Sequence, residues 1–218
     1  LGYRVRLYSM EMTAEEVVSR IASHITGIAE NRLTYDEHTP PLSDEEWQRF
    51  YKAVDGIKSL PLDIIDTGGL TVQEIVSDAS RAYLEHGDRL IVMVDYLQLV
   101  RAQGFRANEE FGIVSEVSRQ LKSLAKNYGV WVFASAQLSR ELESRTNKRP
   151  ILSDLRQSGQ IEQDADVVIA LYRDEYYTGE GLSDFNGIAE LIVLKYRGGK
   201  IGTAQLRWIG EQVMFDDL

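Results

Sequence analysis

Three polar residues each stand where an apolar segment of the chain ends. Glu11 follows VRLYSM, Asp95 follows LIVMV and Gln137 follows VWVFASA. In parallel α/β sheets, ligands bind beyond the carboxyl ends of the strands, so these residues can converge on one crevice. There, an aspartate can hold Mg²⁺ beside nucleotide phosphates, a glutamate can act as a general base toward water, and a glutamine can donate a hydrogen bond to a γ-phosphate.

The pattern alone leaves a purely structural interpretation open for each residue. Asp95 can be a strand-end acid that caps a loop, and on the pattern alone this stands level with the magnesium interpretation. Glu11 can be an acid near a helix N-terminus, which is common. Gln137 can be a buried amide that satisfies backbone groups. Taken alone, Glu11 and Gln137 favour the structural interpretation.

Two cations, Lys195 and Arg197, lie two residues apart in LKYRGG. On a strand this spacing puts both on one face, where the arginine fork and the lysine point charge can clamp a phosphate. The alternative is an exposed hairpin edge, on which cations discourage pairing with other strands. Without further information the edge is favoured.

Alternating apolar strands and amphipathic helices must position these residues. Strands are predicted at Tyr3–Ser9 and in LPLDIIDTGG, RLIVMVD, VWVFASA and DVVIALYR, and a terminal hairpin in AELIVLKYR and GTAQLRWIG. Helices are predicted to begin at three capping boxes, which pair Thr13 with Glu16, Ser43 with Glu46 and Thr71 with Glu74. Gly87 and Gly129 are predicted to close helices. The pattern predicts an α/β fold over residues 1–218 as one domain, with a mostly parallel sheet flanked by helices and a C-terminal antiparallel hairpin.

The composition limits what the protein can bind. The 218 residues include no cysteine, which excludes disulfides and thiolate metal sites, and the formal net charge is −10. A chain this acidic is not expected to bind nucleic acid through its overall field, so any such contact must come from a local basic patch. The three histidines, His24, His38 and His86, have no metal-ligand spacing. The apolar runs are too short to span a membrane, and a cytoplasmic protein is expected.

Four stretches of the sequence resemble, in order, the motifs of the DnaB-type replicative DNA helicases in their C-terminal RecA-like motor domain. They are YSMEMTAEE, IVMVDYLQLV, SAQLSRELESRTNKRPILSDLRQSGQIEQDADVVIALYRDE and IAELIVLKYRGGKIGTAQLRW. The resemblance implies that Glu11 is the catalytic glutamate, Asp95 the Walker B acid that holds Mg²⁺ through water, and Gln137 the γ-phosphate sensor. It implies that Lys195 and Arg197 act as finger residues on the ATP of the neighbouring subunit.

The resemblance also implies a ring of six subunits that moves 5′ to 3′ on single-stranded DNA. The DNA-gripping loop of the family matches DLRQSGQ, so Arg156, Gln157 and Gly159 are the expected DNA-facing residues. A few such residues in each subunit of a ring would reconcile DNA binding with an acidic chain. Primase and a helicase loader are expected partners through regions that this chain does not include. Arg140, Arg145 and Arg149 follow the Gln137 strand, and a solvated basic loop is favoured for them over contact with a neighbouring subunit or DNA.

One family motif, the phosphate-binding loop G-x-x-x-x-G-K-[ST], does not occur in the 218 residues. The resemblance places its strand beside the strand of Gln137, so the sheet is expected to lack a neighbour there. We therefore expect that the isolated chain does not hydrolyse ATP. Two other interpretations remain, namely a non-hydrolysing assembly module and a related RecA-family ATPase without helicase activity.

Overall fold

Four parallel strands form the sheet that carries three of the expected site residues. The computed structural model describes residues 2–34, 40–106, 108–179, 181 and 183–218, without the side chains of residues 156–158. The sheet order is β2-β1-β3-β4, with β1 at Arg4–Ser9, β2 at Leu62–Ile65, β3 at Leu90–Asp95 and β4 at Trp131–Ala134. All three pairings are parallel, which confirms the predicted parallel sheet.

A second, antiparallel sheet contains the predicted terminal hairpin. Its strand order is β5-β6-β7-β8, with β5 at Val167–Tyr172, β6 at Ile188–Tyr196, β7 at Gly202–Ile209 and β8 at Met214–Asp216. The strands β6 and β7 form the hairpin, and β8 extends it by one short strand that the sequence did not predict.

Seven α-helices accompany the sheets in the described part of the chain. They are α1 (Ala14–Thr26), α2 (Glu30–Leu33), α3 (Asp44–Lys58), α4 (Val72–His86), α5 (Glu110–Tyr128), α6 (Gly159–Asp164) and α7 (Asp174–Thr178). Capping boxes hold the first turns of α3 and α4, as predicted. Gly129 ends α5 in the left-handed conformation that favours glycine, and Gly87 ends α4.

The chain divides by its internal contacts into two compact units. The first contains residues 1–13, 61–168 and 194–200, and the second contains the remainder. The first unit has the larger core, in which Val92 and Val94 of β3 pack with Val72 and Ile75 of α4 and Val117 of α5. In the second unit, α1 and α3 bury a smaller cluster around Ala22, Ala53 and Ile57. That residues 1–218 act as one domain stays a prediction.

The last strand of the first sheet, β4, pairs only with β3 among the described residues. Its apolar side chains Trp131 and Phe133 are 61% and 54% exposed. Buried parallel strands are normally covered and paired on both sides, so β4 is an exposed edge of the sheet in the described part of the chain. The prediction that one further strand adjoins β4 is consistent with this edge and stays a prediction. No helix in the described residues is both long and apolar enough to cross a membrane.

Candidate nucleotide and DNA site

The ends of β1 and β3 bring Glu11 and Asp95 to the same edge of the sheet. Ser9, the last residue of β1, lies opposite Asp95, the last residue of β3. The Met10 N–H donates to the Asp95 carbonyl at 2.9 Å, and the Ser9 hydroxyl donates to the Met12 carbonyl at 2.7 Å. These bonds fix the turn that carries Glu11, whose side chain is exposed. The carboxylate of Glu11 is therefore accessible to solvent at this edge.

Asp95 is half-buried, and a hydroxyl from the neighbouring strand stabilises its carboxylate. The Ser135 hydroxyl donates to Asp95 Oδ1 at 2.5 Å, while the Ser135 N–H donates to the Val94 carbonyl at 3.0 Å. A hydrogen bond to a carboxylate offsets part of the cost of removing it from water. The Asp95–Tyr96 peptide bond is cis. Sequence reasoning did not identify Ser135, because its role depends on a pairing between strands that are 40 residues apart.

The carboxylate of Asp95 fits a Mg²⁺ site in which the protein supplies few of the ligands. Among the described residues, no group of three or more His, Cys, Asp or Glu side chains could enclose a metal ion. Mg²⁺ in nucleotide sites, however, is held by one or two carboxylates, with waters and phosphate oxygens as its other ligands. One half-buried carboxylate beside a serine hydroxyl supplies the hard oxygen donors that this arrangement needs.

Gln98 holds the backbone of Gln137 and leaves the Gln137 side chain exposed. The Gln98 side chain donates through Nε2 to the Gln137 carbonyl at 3.1 Å and accepts from the Gln137 N–H at 3.2 Å. The interpretation of Gln137 as a buried amide is therefore wrong. Gln98 itself was not predicted, although it lies only three residues after Asp95, in the turn that follows β3.

The two cations at the end of β6 contact the end of α6. Lys195 Nζ donates to the carbonyls of Glu162 and Ala165 at 2.5 and 2.7 Å. Arg197 donates from Nη2 to the Gln163 carbonyl and from Nη1 to Asp166 Oδ1 at 3.1 Å. Both side chains reach the same partner, so they lie on one face, as predicted, and are not a free hairpin edge.

These cations lie at the opposite end of β4 from Gln137. Arg197 lines one cleft with Lys122, Asp166 and Trp131, the first residue of β4. Gln137 lies beyond Ala134, the last residue of that strand. At about 3.3 Å per residue, the four strand residues alone span roughly 10 Å. The structure therefore brings Glu11, Asp95 and Gln137 to one end of the sheet, and Lys195 and Arg197 to the other.

The expected DNA-facing residues lie on the short segment that leads into α6. A 3₁₀ helix covers Leu152–Ser158, and α6 begins at Gly159. The side chains of Arg156 and Gln157 lie outside the described residues. A β-carbon added at Gly159 would meet nothing within 4 Å, so internal packing does not require a glycine there.

A buried ion pair holds the start of this segment. Asp154 is 5% exposed and accepts both terminal nitrogens of Arg145, at 2.9 and 2.7 Å, and the Ile151 N–H at 2.9 Å. The interpretation of Arg145 as part of a solvated basic loop is wrong, because its guanidinium is committed to this carboxylate. The pair fixes the backbone at the start of the segment.

Comparison with known proteins connects these features to one family. The family model of the DnaB-like helicase C terminal domain matches residues 2–217. The chain is 41% identical over 215 residues to the replicative DNA helicase DnaB of Pasteurella multocida and, equally, to that of Haemophilus influenzae. Each match covers 98% of this chain and 45% of the relative. The chain thus spans less than half the length of these curated relatives.

Solved structures give the same result at the level of the fold. One is the structure of a DnaB-like replicative helicase and its interactions with primase. It superposes with a TM-score of 0.89 at 37% identity, over 99% of this chain and 51% of the other. The ATPase domain of G40P superposes with a TM-score of 0.87 at 36% identity, over 99% of this chain and 75% of the other.

Proposed function

This chain belongs to the family of DnaB-like helicases, of which it matches the C-terminal domain, and on that premise we propose that it is the motor domain of a hexameric replicative helicase. The motor couples ATP hydrolysis to 5′–3′ movement on single-stranded DNA and to unwinding of the duplex. The observation that carries this proposal is the separation of the site residues, with one set at each end of β4.

In the proposed mechanism, the residues beyond the carboxyl ends of the strands act on the nucleotide of their own subunit. Asp95 would hold Mg²⁺ through water, and the ion would supply positive charge that neutralises the phosphates. Glu11 takes a proton from the attacking water as general base, and its exposed position leaves room for that water. The Gln137 amide, with its backbone fixed by Gln98, donates to the γ-phosphate.

The cations at the other end of the sheet act on a different nucleotide. Lys195 and Arg197 lie near the start of β4, whose length of roughly 10 Å separates them from the strand ends that carry Asp95 and Gln137. Their side chains can instead meet the phosphates bound by an adjacent subunit, where arginine stabilises the charge of phosphoryl transfer. Sites that are shared in this head-to-tail manner produce a closed ring when the rotation between subunits closes.

DNA contact in this proposal comes from the segment that carries Arg156, Gln157 and Gly159. Arg156 supplies charge, Gly159 permits close approach of the phosphate backbone, and Gln157 adds a hydrogen bond. Contacts to phosphates carry no sequence information, so binding is expected to be independent of sequence. Primase and a loader would bind through other parts of the full protein, and the expected location is the cytoplasm.

For the isolated chain, a second function is favoured by one specific observation, the lack of a G-x-x-x-x-G-K-[ST] loop in the 218 residues. Backbone amides and the lysine of that loop provide much of the grip on phosphates. Alone, this chain would then act as an assembly module that supplies Lys195 and Arg197 to a neighbour without hydrolysing ATP itself.

A mixed-ring assay tests both functions. Full-length DnaB helicase of Haemophilus influenzae is prepared with the residue matching Arg197 changed to alanine, which is expected to disable its finger. Addition of the 218-residue chain supplies an intact finger in trans, so ATP hydrolysis should rise at least about ten-fold, since an arginine finger contributes 10³–10⁵. The chain alone should show no turnover.

Two results would contradict the proposal. If the wild-type chain restores no ATP hydrolysis to the disabled helicase at any mixing ratio, trans action within a ring is wrong. If the purified chain hydrolyses ATP by itself and Glu11→Gln removes that turnover, the expected inactivity of the isolated chain is wrong.

A further inference from the structure

The short helix α6 joins the DNA-facing segment to the two finger cations. It begins at Gly159, the last residue of the segment, and contains six residues. The last carbonyls of a helix have no partner within the helix and accept hydrogen bonds from cations near its C-terminus. Here Lys195 binds the carbonyls of Glu162 and Ala165, and Arg197 binds that of Gln163. Both finger residues thus hold the end of α6.

Asp166 makes two contacts with Arg197 and one with Lys122. Its carbonyl accepts the Arg197 backbone N–H at 2.9 Å, and its Oδ1 accepts the Arg197 side chain at 3.1 Å. Its Oδ2 accepts Lys122 Nζ at 2.5 Å, and Lys122 belongs to the long helix α5. The Lys122 ammonium, followed by Arg197, lowers the pKa of Asp166. Asp166 therefore links Arg197 to a helix of the core.

These contacts affect geometry far more than stability. The Asp166 side chain is 59% exposed and that of Arg197 is 50% exposed, and ion pairs between exposed groups add little to the free energy of folding. The position of a catalytic cation, by contrast, matters greatly, because a displacement of about 1 Å can cost up to about 10²-fold in rate.

Both cations retain donors for a second partner. A lysine ammonium has three donors, of which Lys195 uses two, and a guanidinium has five, of which Arg197 uses one at each terminal nitrogen. Each can hold the end of α6 and bind a phosphate at the same time. At 1.5 Å per residue, α6 is only about 9 Å long, so a short helix separates the DNA-facing segment from the carbonyls that bind Lys195 and Arg197.

We propose that Asp166 is a positioning residue for Arg197, and that the end of α6 with Asp166 transmits DNA contact at residues 156–159 to the ATP of the neighbouring subunit. This inference rests on the proposed function. DNA on the segment shifts the carbonyls that hold Lys195 and Arg197, and the reach of both cations toward the phosphates changes with it.

The mixed-ring assay tests this with Asp166→Asn in the added chain. The amide keeps an acceptor but loses the charge that holds Lys122 and Arg197. We expect kcat of the restored hydrolysis to fall about three- to ten-fold with KM for ATP unchanged, since only positioning is lost. The stimulation of this ATP hydrolysis by oligothymidylate should also fall. Asp166→Glu should recover part of kcat, because it restores the carboxylate.

Asp184→Asn is the matched control, because Asp184 is an exposed aspartate with no hydrogen bond or ion pair among the described residues. If Asp166→Asn behaves as Asp184→Asn does, or raises KM and leaves kcat unchanged, the proposal is overturned. If the wild-type chain restores no hydrolysis, the proposed function is what fails.

A second measurement tests the contact in the chain alone, whatever the ring assay gives. Hydrogen–deuterium exchange of residues 159–166 is compared between wild type and Lys195→Met. Loss of the cap should speed exchange there several-fold, since the last turn loses its carbonyl partners. Lys200→Met, a change of an exposed lysine in the same hairpin, should leave it unchanged. Equal exchange in wild type and Lys195→Met would overturn the proposal.

Discussion

The contacts of Arg197 depend on the planar shape of its guanidinium as well as on its charge. Its guanidinium binds Asp166 with one terminal nitrogen and the Gln163 carbonyl with the other. A planar fork can do this while leaving further donors for a phosphate, whereas an ammonium is a single point charge. The proposed trans role of Arg197 would therefore require more than positive charge at this position.

Substitutions of Arg197 should separate shape from charge in the mixed-ring assay. Arg197→Ala in the added chain should lower the restored ATP hydrolysis at least about ten-fold, because the finger charge is lost. Arg197→Lys should restore only part of it, because a lysine cannot make both contacts and reach the phosphate. Steady-state ATP turnover measures both effects.

Arg119→Ala is the control, because Arg119 on α5 is exposed and, in the described part of the chain, pairs only with Glu116 within one helical turn. Equal rescue by Arg197→Ala and Arg119→Ala would mean that Arg197 does not act in trans.

The positions of Glu11, Asp95 and Gln137 could be predicted because they depend on local pattern. An apolar run that ends at a polar residue identifies a strand end, and parallel strands present their ends at one edge. Ser135 and Gln98 could not be predicted, because their contacts depend on which strands pair. Arg145 was misassigned for the same reason, since its partner Asp154 is recognisable only once the loop is folded.

At the scale of elements, Glu46 stabilises the first turn of α3 through both a side-chain partner and a backbone partner. Glu46 accepts Arg32 at 2.5 and 2.9 Å and the Ser43 N–H at 2.8 Å. The hydrogen bonds from Arg32, followed by that from Ser43, lower the pKa of Glu46 from 4.5 to about 2. The charged carboxylate is thus the form that the folded helix favours.

This shift predicts a pH dependence of stability for the second unit. Because the folded pKa lies below the unfolded one, the contribution of Glu46 is fully present above about pH 4.5 and is lost as the pH falls toward about 2. The difference in urea midpoint between wild type and Glu46→Gln, followed by circular dichroism, should shrink between pH 5 and pH 2.5. Glu45→Gln, an exposed neighbour with no hydrogen bond or ion pair among the described residues, should show no such trend. The same trend in both variants would contradict the assignment to Glu46.

Elements with local signals were predicted, whereas those that depend on distant partners were missed. The helices α3, α4 and α5 carry capping boxes or closing glycines in their own sequence. The strand β8 has only three residues and exists through pairing with β7. The contact between β6 and the end of α6 likewise depends on tertiary structure, since it joins residues about 30 positions apart.

The whole chain combines a net negative charge with one segment that is proposed to contact DNA, and this combination limits how DNA can bind. With a formal net charge of −10, long-range attraction to DNA is not available. Binding must then come from a small number of short-range phosphate contacts in each subunit, and every contact releases counterions. Such binding should be indifferent to base sequence and sensitive to salt.

Fluorescence anisotropy with single-stranded oligonucleotides can test this for the chain itself. The logarithm of the binding constant should fall linearly with the logarithm of salt concentration, with about −0.7 in slope for each phosphate contact, and oligomers of equal length but different sequence should bind alike. Arg156→Ala should make the slope shallower by about 0.7 per bound chain, because one contact is removed. Arg119→Ala, which removes the same charge from α5, should leave the slope unchanged. If both variants shift the slope equally, net charge governs binding; if neither does, the DNA contact lies elsewhere than in the segment before α6.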